Sequence, residues 1–291
     1  MNGTLMRTVS LSNSTEISYR YRPGSQGDNV VLIHGLSQQS GYWDRVNSKL
    51  EQLNVISIDL PGKSSGGPSA VTKASSFGIE VLAEQVVELL DLEGFRNCHI
   101  VGHSWGASIA MQASIQYPSN FASCVLVDGG IVNPMDLIPD IHSDREALIG
   151  ALTPPTGPFS FDLLMSHWGS LDPSHKDEVW QAVSNSYRSV KGDQFESVLD
   201  MSRHMAVLEA LMNYEYKHFL PRISIPTWAI LCLSGDSWNA AKLARSGELG
   251  NLPHVYLQRW YGYAHDVPLE RPDAVADVIE AAVAITRDRV R

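Results

Sequence analysis

The feature that most constrains this chain is the pentapeptide GHSWG at residues 102–106. It follows a short apolar run, residues 99–101, and precedes a stretch typical of a helix that ends near residues 117–118. A sharp turn from a strand into a helix brings the two backbones together, so the residues two before and two after the central serine must lack bulk. The two glycines meet this requirement. The pattern therefore predicts a nucleophile elbow with Ser104 at its tip.

Composition and charge narrow the class of protein. The chain has 291 residues, of which 44% are apolar and 19% charged, as in an ordinary globular protein with one large domain or a domain with an insertion. Its formal net charge of −10 argues against nucleic acid and anionic membranes as partners. We find no signal peptide in the first twenty residues and no uncharged stretch of transmembrane length. The sequence therefore predicts a cytoplasmic protein whose partner is a small-molecule substrate, and it leaves the oligomeric state open.

The three cysteines, Cys98, Cys124 and Cys232, lie at or in predicted strands. Buried free thiols fit those positions better than disulfides do. No C-x-x-C pair and no His/Cys ligand spacing points to zinc. The sequence predicts neither a metal nor a cofactor.

Continuous apolar runs alternate with segments of helical spacing. A continuous run indicates a strand that is covered on both faces, as in a parallel sheet flanked by helices. Residues 8–22 alternate instead and predict an N-terminal hairpin at a sheet edge, while 78–92 and the segment from Pro272 onwards have helical spacing. The fold class predicted is α/β, with a mostly parallel sheet. The predicted strands are 30–33, 55–58, 99–101, 123–127, 227–233 and 254–259.

Residues 134–222 break this alternation. The segment begins with prolines and aromatic residues and continues with helical periodicity at 176–190 and 195–213. We interpret it as an inserted helical cap over the carboxyl ends of the strands. The predicted domains are a core, formed by 1–133 and 223–291, and the cap between its two parts.

A serine hydroxyl becomes a good nucleophile only when a base takes its proton and a third group orients that base. His265 follows the last predicted strand and precedes the last helix, which is the place of the base in a fold of this kind. Two carboxylates could orient it. Asp128 ends the strand 123–127, and Asp236 lies beyond the strand 227–233, so either could reach an imidazole at the same sheet edge.

An oxyanion requires two preorganised donors. The N–H of Trp105, directly after the predicted nucleophile, is one candidate. The other is the N–H of Leu36, in the loop after the strand 30–33. Both are backbone roles, so neither side chain is diagnostic.

Four motifs in a fixed order carry a resemblance to a known family. Residues 28–133 and 220–290 resemble the α/β-hydrolase superfamily in its cap-bearing serine-hydrolase branch. The resemblance implies that Ser104 is the nucleophile and His265 the base, and that Leu36 and Trp105 form the oxyanion hole. The motifs are HG at 34–35, DLPG at 59–62, the elbow at 102–106, and H-x-x-P-x-E-x-P at 265–272.

The acid differs from the commonest pattern of that family. The family usually has G-x-x-D after the strand that corresponds to 227–233, whereas here the glycine directly precedes Asp236. A minority of the family takes its acid from the position of Asp128. Residues 203–205 and the Asp128 loop resemble a bacterial branch of that kind. The resemblance therefore favours Asp128, with Asp236 as the alternative acid.

These residues predict a serine hydrolase that cleaves a small, mostly uncharged carboxylic ester or lactone through an acyl-enzyme on Ser104. Two other reactions use the same residues, namely hydrolysis of a C–C bond and removal of an N-terminal residue by a proline-iminopeptidase-like enzyme. For the latter, Glu209 or Glu215 could bind the substrate amine. A ligand receptor built on a hydrolase scaffold is the non-enzymatic alternative.

Overall fold

An eight-stranded sheet organises the chain in the computed structural model, which describes residues 4–61, 74–137, 141–235 and 238–290. The strands are β1 Leu5–Ser10, β2 Glu16–Arg22, β3 Asn29–Ile33, β4 Asn54–Asp59, β5 Cys98–His103, β6 Phe121–Val127, β7 Phe159–Ser160, β8 Tyr187–Ser189, β9 Gln194–Ser197, β10 Thr227–Leu233 and β11 Val255–Tyr261. The helices are α1 Asp44–Asn47, α2 Ile79–Leu92, α3 Trp105–Gln116, α4 Ile141–Leu152, α5 Phe161–Trp168, α6 Lys176–Val183, α7 Met201–Met212, α8 Tyr216–Phe219, α9 Asn239–Leu249, α10 Val267–Glu270 and α11 Pro272–Val290.

The large sheet has the strand order β1-β2-β4-β3-β5-β6-β10-β11. The pairs β1–β2 and β2–β4 are antiparallel, and every pair from β4 to β11 is parallel. The predicted α/β class with a mostly parallel sheet is thereby confirmed, as is the hairpin at its edge. All parallel strands run with their carboxyl ends toward one side of the sheet, so the loops after β3, β5, β6 and β11 meet there.

Helices cover both faces of the sheet. The strand β5 shows why two consecutive apolar residues are both buried: Ile100 packs into a cluster with α2 and α3, whereas Val101 packs into a second cluster with α1 and α11. Both side chains are fully buried, and each such burial contributes about 1.5–3 kcal/mol. The three cysteines are buried and unbridged. None of the helices in the described ranges has the length and apolar character that crossing a membrane requires.

In the described parts of residues 134–222, no strand joins the large sheet. The segment contains α4 to α8 and a three-stranded antiparallel sheet in the order β7-β9-β8. The residues of its strands are half-buried or exposed, and the strands are only two to four residues long. The segment predicted as a helical cap thus contains a small antiparallel sheet in addition to its helices.

The two helices predicted in this segment are shorter than expected. The helix predicted over 176–190 ends at Val183, and the chain then enters β8. Gly192, with a φ of +66°, lies in the turn that pairs β8 with β9. The helix predicted over 195–213 begins only at Met201, where the carboxylate of Asp200 accepts hydrogen bonds from two N–H groups of the first turn.

His99 is a buried histidine inside β5, away from the sheet edge where the loops meet. Its Nδ1 lies 2.8 Å from the hydroxyl of Ser123 on β6. Burial disfavours the imidazolium and lowers the pKa of His99 to about 4. The folded chain therefore keeps this imidazole neutral at pH 7.

We expect His99 to make the protein less stable in mild acid. The unfolded chain binds a proton at His99 near pH 6.5, whereas the folded chain does so only near pH 4, so stability falls as the pH drops through 6.5. The loss between pH 7 and pH 5 should be about 2 kcal/mol for this one group. Urea titrations at the two pH values measure it. In His99→Asn the loss should shrink by that amount, whereas His218→Asn, at an exposed site, should leave it unchanged. Equal pH dependence in all three proteins would contradict the prediction.

Candidate active site

Ser104 lies at the turn between β5 and α3, with a φ of 53° and a ψ of −119°. A positive φ is uncommon for a residue with a side chain, and it persists only where the surrounding structure fixes it. A Cβ on Gly102 would lie 2.2 Å from the carbonyl oxygen of Gly106, and a Cβ on Gly106 would lie 2.4 Å from that of Ile33. The two glycines of the motif are therefore required by the close approach of β5, α3 and β3.

The loop after β6 also presses against the serine. A Cβ on Gly129 would lie 2.2 Å from the carbonyl oxygen of Ser104. The carbonyl oxygen is part of the backbone, and a Cβ is bonded directly to it, so neither atom can rotate away. A side chain at Gly129 must therefore displace the turn that carries Ser104.

We expect Gly129→Ala to lower the free energy of unfolding by about 2–3 kcal/mol, as overpacking of a rigid site does. Gly150→Ala is the matched control, because a Cβ there meets nothing within 4 Å and Gly150 lies inside α4. That control should be neutral or more stable by up to about 1 kcal/mol. Urea titrations of both variants check the prediction, and equal stabilities would show that the turn yields without cost.

Three side chains from distant parts of the chain meet at the elbow. The Ser104 hydroxyl lies 2.9 Å from His265 Nε2, and His265 Nδ1 lies 2.7 Å from Asp128 Oδ2. A carboxylate can only accept, so Nδ1 carries the proton and Nε2 is the acceptor for the serine hydroxyl. The arrangement can move a proton from Ser104 to His265. The alternative acid, Asp236, lies outside the described residues.

The environment of Asp128 keeps its carboxylate ionised. Burial alone would raise the pKa of Asp128, but hydrogen bonds and charge from His265 and Lys242 outweigh burial and hold that pKa below its usual range. Asp128 Oδ1 also accepts from the N–H of Cys232 at 2.8 Å. For His265, burial acts to lower the pKa, but the bonded Asp128 outweighs it and raises the pKa of the imidazole.

A second set of contacts fixes the loop that carries His265. His103 Nε2 donates to the carbonyl oxygen of His265 at 2.9 Å. Burial lowers the pKa of His103 to about 4, so the ring is neutral at pH 7, and it stacks on Tyr42 at 5.0 Å. Tyr42 in turn donates to Asp266 at 2.9 Å. The sequence did not predict this role of His103. The residue before the serine varies in such a motif, and the motif does not indicate whether its side chain contacts the His265 loop.

The two expected oxyanion donors both border the cavity at Ser104. Trp105 is the first residue of α3, and the first N–H groups of a helix have no partner within the helix. Leu36 lies in the loop after β3, which runs so close that a Cβ on Gly35 would lie 3.2 Å from the Cβ of Ser104. The two backbone segments thus both lie next to the serine.

A cavity of about 700 Å³ opens over Ser104. The residues 134–222 supply much of its apolar and aromatic lining, and Lys242 is the one lysine or arginine among its described lining residues. Glu209 and Glu215 do not border it; they line a separate cavity of about 490 Å³. The apolar contributors from the insertion include Pro154, Pro155, Phe159, Leu163, Leu164, Trp168 and Tyr187.

Comparison with known sequences places these motifs in a family. A sequence profile of the alpha/beta hydrolase fold matches residues 28–272. The chain is 27% identical over 253 residues to a putative carbamate hydrolase RutD of Stutzerimonas stutzeri, a match that covers 84% of this chain and 87% of the relative. It is 29% identical over 138 residues to the 2-hydroxy-6-oxononadienedioate/2-hydroxy-6-oxononatrienedioate hydrolase 1 of Dechloromonas aromatica, a match that covers 46% of this chain. The chain spans only about half the length, 47%, of that relative.

Solved structures share the fold over nearly the whole chain. E-2-(acetamidomethylene)succinate hydrolase has a TM-score of 0.75 at 18% identity, over 97% of this chain and 100% of that one. A thermophilic esterase from Thermogutta terrifontis has a TM-score of 0.68 at 16% identity, over 97% of this chain and 99% of that one. At these identities the likeness concerns the fold alone.

Proposed function

The chain belongs to the alpha/beta hydrolase fold family, and from that premise we propose that it is a serine hydrolase that cleaves a small, mostly uncharged carboxylic ester or lactone. The observation that carries the proposal is the hydrogen-bonded series from Ser104 through His265 to Asp128, with lengths of 2.9 and 2.7 Å. In this assignment Ser104 is the nucleophile, His265 the base and Asp128 the acid. The insertion at 134–222 is the cap domain of a core formed by 1–133 and 223–291.

In the first half of the reaction, Ser104 attacks the substrate carbonyl carbon while His265 Nε2 takes the hydroxyl proton. Asp128 stabilises the imidazolium that forms, through the bond to Nδ1. The N–H groups of Leu36 and Trp105 hold the oxyanion of the tetrahedral intermediate. Collapse of that intermediate breaks the bond to the leaving alcohol, which receives the proton from His265, and leaves an acyl-enzyme on Ser104.

In the second half, a water molecule repeats the attack. His265 takes a proton from the water, the resulting tetrahedral intermediate expels Ser104, and the serine oxygen regains its proton from His265. The product acid leaves. For a lactone, both product groups are parts of one hydroxy acid.

The cavity supports a mostly uncharged acyl group. Its volume lies within the range of sites for small molecules, and its described lining from the cap is apolar and aromatic. Burying an unpaired charge against such a surface is costly. A small ester or lactone fits that lining better than a highly charged substrate does.

Hydrolysis of a C–C bond is the second candidate, and the relative from Dechloromonas aromatica motivates it. The substrate in that relative's name is a dioate, a molecule with two carboxylates. Among the described lining residues, however, Lys242 is the one lysine or arginine, and its ammonium already bonds Asp128. The described part of the cavity therefore favours the ester over a dianionic diketone-like substrate.

The proposal is tested by treating the pure protein with a fluorophosphonate and locating the label by mass spectrometry. We expect one label, on Ser104. A panel of p-nitrophenyl esters, lactones, proline anilides and a dienedioate then ranks the substrate classes. The fastest turnover should come from an uncharged ester or lactone. If the labelled protein prefers the dienedioate or an anilide, that class replaces the ester as the proposed substrate. A folded protein that takes neither a fluorophosphonate nor a smaller sulfonyl fluoride would refute the hydrolase and leave the ligand receptor.

A further inference from the structure

A buried lysine contacts the acid of the proposed triad. Lys242 lies on α9, and its side chain is 8% exposed. Its ammonium donates to Asp128 Oδ2 at 2.8 Å and to the carbonyl oxygen of Cys232 at 2.8 Å. Nothing in the mechanism above uses this side chain.

The same carboxylate oxygen accepts hydrogen bonds from both side chains. Asp128 Oδ2 accepts from His265 Nδ1 at 2.7 Å and from Lys242 at 2.8 Å, while Oδ1 accepts from the backbone at Cys232. With these three bonds the carboxylate is held by β10, α9 and the His265 loop together. Burying an ammonium costs desolvation free energy, and the ion pair that it forms often adds no net stability to the fold. A gain in stability is therefore a weak explanation for this buried pair.

We propose that Lys242 is a positioning residue of the triad, which fixes the Asp128 carboxylate and offsets part of its charge, so that His265 stays neutral to a lower pH. This inference rests on the proposed function, because it concerns the base of that reaction. Asp128 alone favours the imidazolium, and an imidazolium cannot accept the proton of Ser104. Lys242 opposes that effect and widens the pH range in which His265 is a base.

Among the described titratable groups around His265, Lys242 is the one lysine or arginine. His103 is neutral at pH 7, since burial lowers its pKa to about 4. Burial likewise raises the pKa of Cys232 and of Tyr42, so both are neutral too. The carboxylates Asp128 and Asp266 both favour the imidazolium. The titratable groups around His265 in the described ranges are Asp128 from β6, Lys242 from α9, Cys232 from β10, His103 from β5, Tyr42 from the segment after β3, and Asp266 and Glu270 from its own loop and α10.

The test is the rate of fluorophosphonate labelling of Ser104 as a function of pH. Labelling requires neutral His265, so its acid limb reports the pKa of that imidazole. Loss of the ammonium favours the imidazolium, which raises that pKa and moves the limb to higher pH. We expect Lys242→Met and Lys242→Gln to move the limb up by about one unit. On the acid side of the limb, that shift corresponds to about tenfold slower labelling.

Two variants separate charge from packing. Lys242→Arg keeps the positive charge and should leave the limb within about 0.3 units of the wild type. Lys49→Met removes an exposed lysine that does not border the cavity at Ser104 and controls for the change in net charge. It should leave the limb in place. A direct titration of His265 by NMR should give the same shifts.

A limb that stays in place, or that moves down, in folded Lys242→Met or Lys242→Gln would overturn the inference. An equal upward shift in Lys242→Arg would also overturn it, because charge would then not be the cause. Lys242→Gln keeps a hydrogen-bond donor and guards against a Met variant that fails to fold. Failure of the proposed function is a separate result: wild-type protein would then take no label at any pH.

Discussion

Ser104→Ala is expected to abolish fluorophosphonate labelling and to lower ester turnover by about four orders of magnitude or more. The alanine keeps the elbow backbone but removes the oxygen that His265 Nε2 faces at 2.9 Å. No acyl-enzyme can then form at this position. Intact mass spectrometry after labelling and steady-state turnover of the best ester measure the two effects.

Ser114→Ala is the matched control for this prediction. Ser114 is a buried serine inside α3, and its hydroxyl donates to the carbonyl oxygen of Met111 rather than toward the cavity. Its loss should leave labelling at Ser104 intact. A label that persists in Ser104→Ala would assign the nucleophile to a different residue.

Asp128→Asn is expected to slow labelling and turnover by about 10³–10⁴-fold. The amide has nearly the shape of the carboxylate, but it has no charge to stabilise the imidazolium, and its NH₂ group faces His265 Nδ1 or Lys242 as a competing donor. Because the proposal assigns the acid to Asp128, Asp236→Asn should change both rates by less than about threefold. The ratio of the two effects identifies the acid.

The Asp128 variant needs a folding control, because it leaves the ammonium of Lys242 buried without an anion. Breaking such a pair costs about 3–5 kcal/mol. Circular dichroism and urea titration therefore establish the folded fraction before the rates are compared. A large loss in Asp236→Asn together with a small loss in Asp128→Asn would reverse the assignment of the acid.

Much of the fold could be predicted because the central strands are mostly apolar at consecutive positions rather than at alternate ones. Helices cover both faces of β3, β4, β5, β6 and β10. A strand that is buried on both faces is apolar at consecutive positions, and that pattern is visible in the sequence. The insertion was harder. Arg188 in β8 is polar and exposed, and Glu196 in β9 is polar and half-exposed. Both strands are too short to show the alternation of apolar and polar residues that is typical of a strand. Gly192 in the turn between them is the one signal that favours a hairpin.

The candidate site was predictable only as far as chain order determines position. Ser104 and His265 each follow a strand of a parallel sheet, so both had to lie at one edge. The same argument applies to Asp128 and to Asp236, which is why sequence alone left the acid open. Lys242 gave no signal, because a lysine on a polar helix is typical of a solvated face. Only the approach of α9 to the end of β10 brings it to Asp128.

The bonds at the elbow join residues that are far apart along the chain. Ser104 and His265 are 161 positions apart, and Asp128 and His265 are 137 apart. Both closures enclose the whole insertion at 134–222. A cut within the insertion would leave the nucleophile and the acid on one fragment and the base on the other. Reactivity of Ser104 would then be a direct reporter of whether two such fragments reassemble into the native sheet.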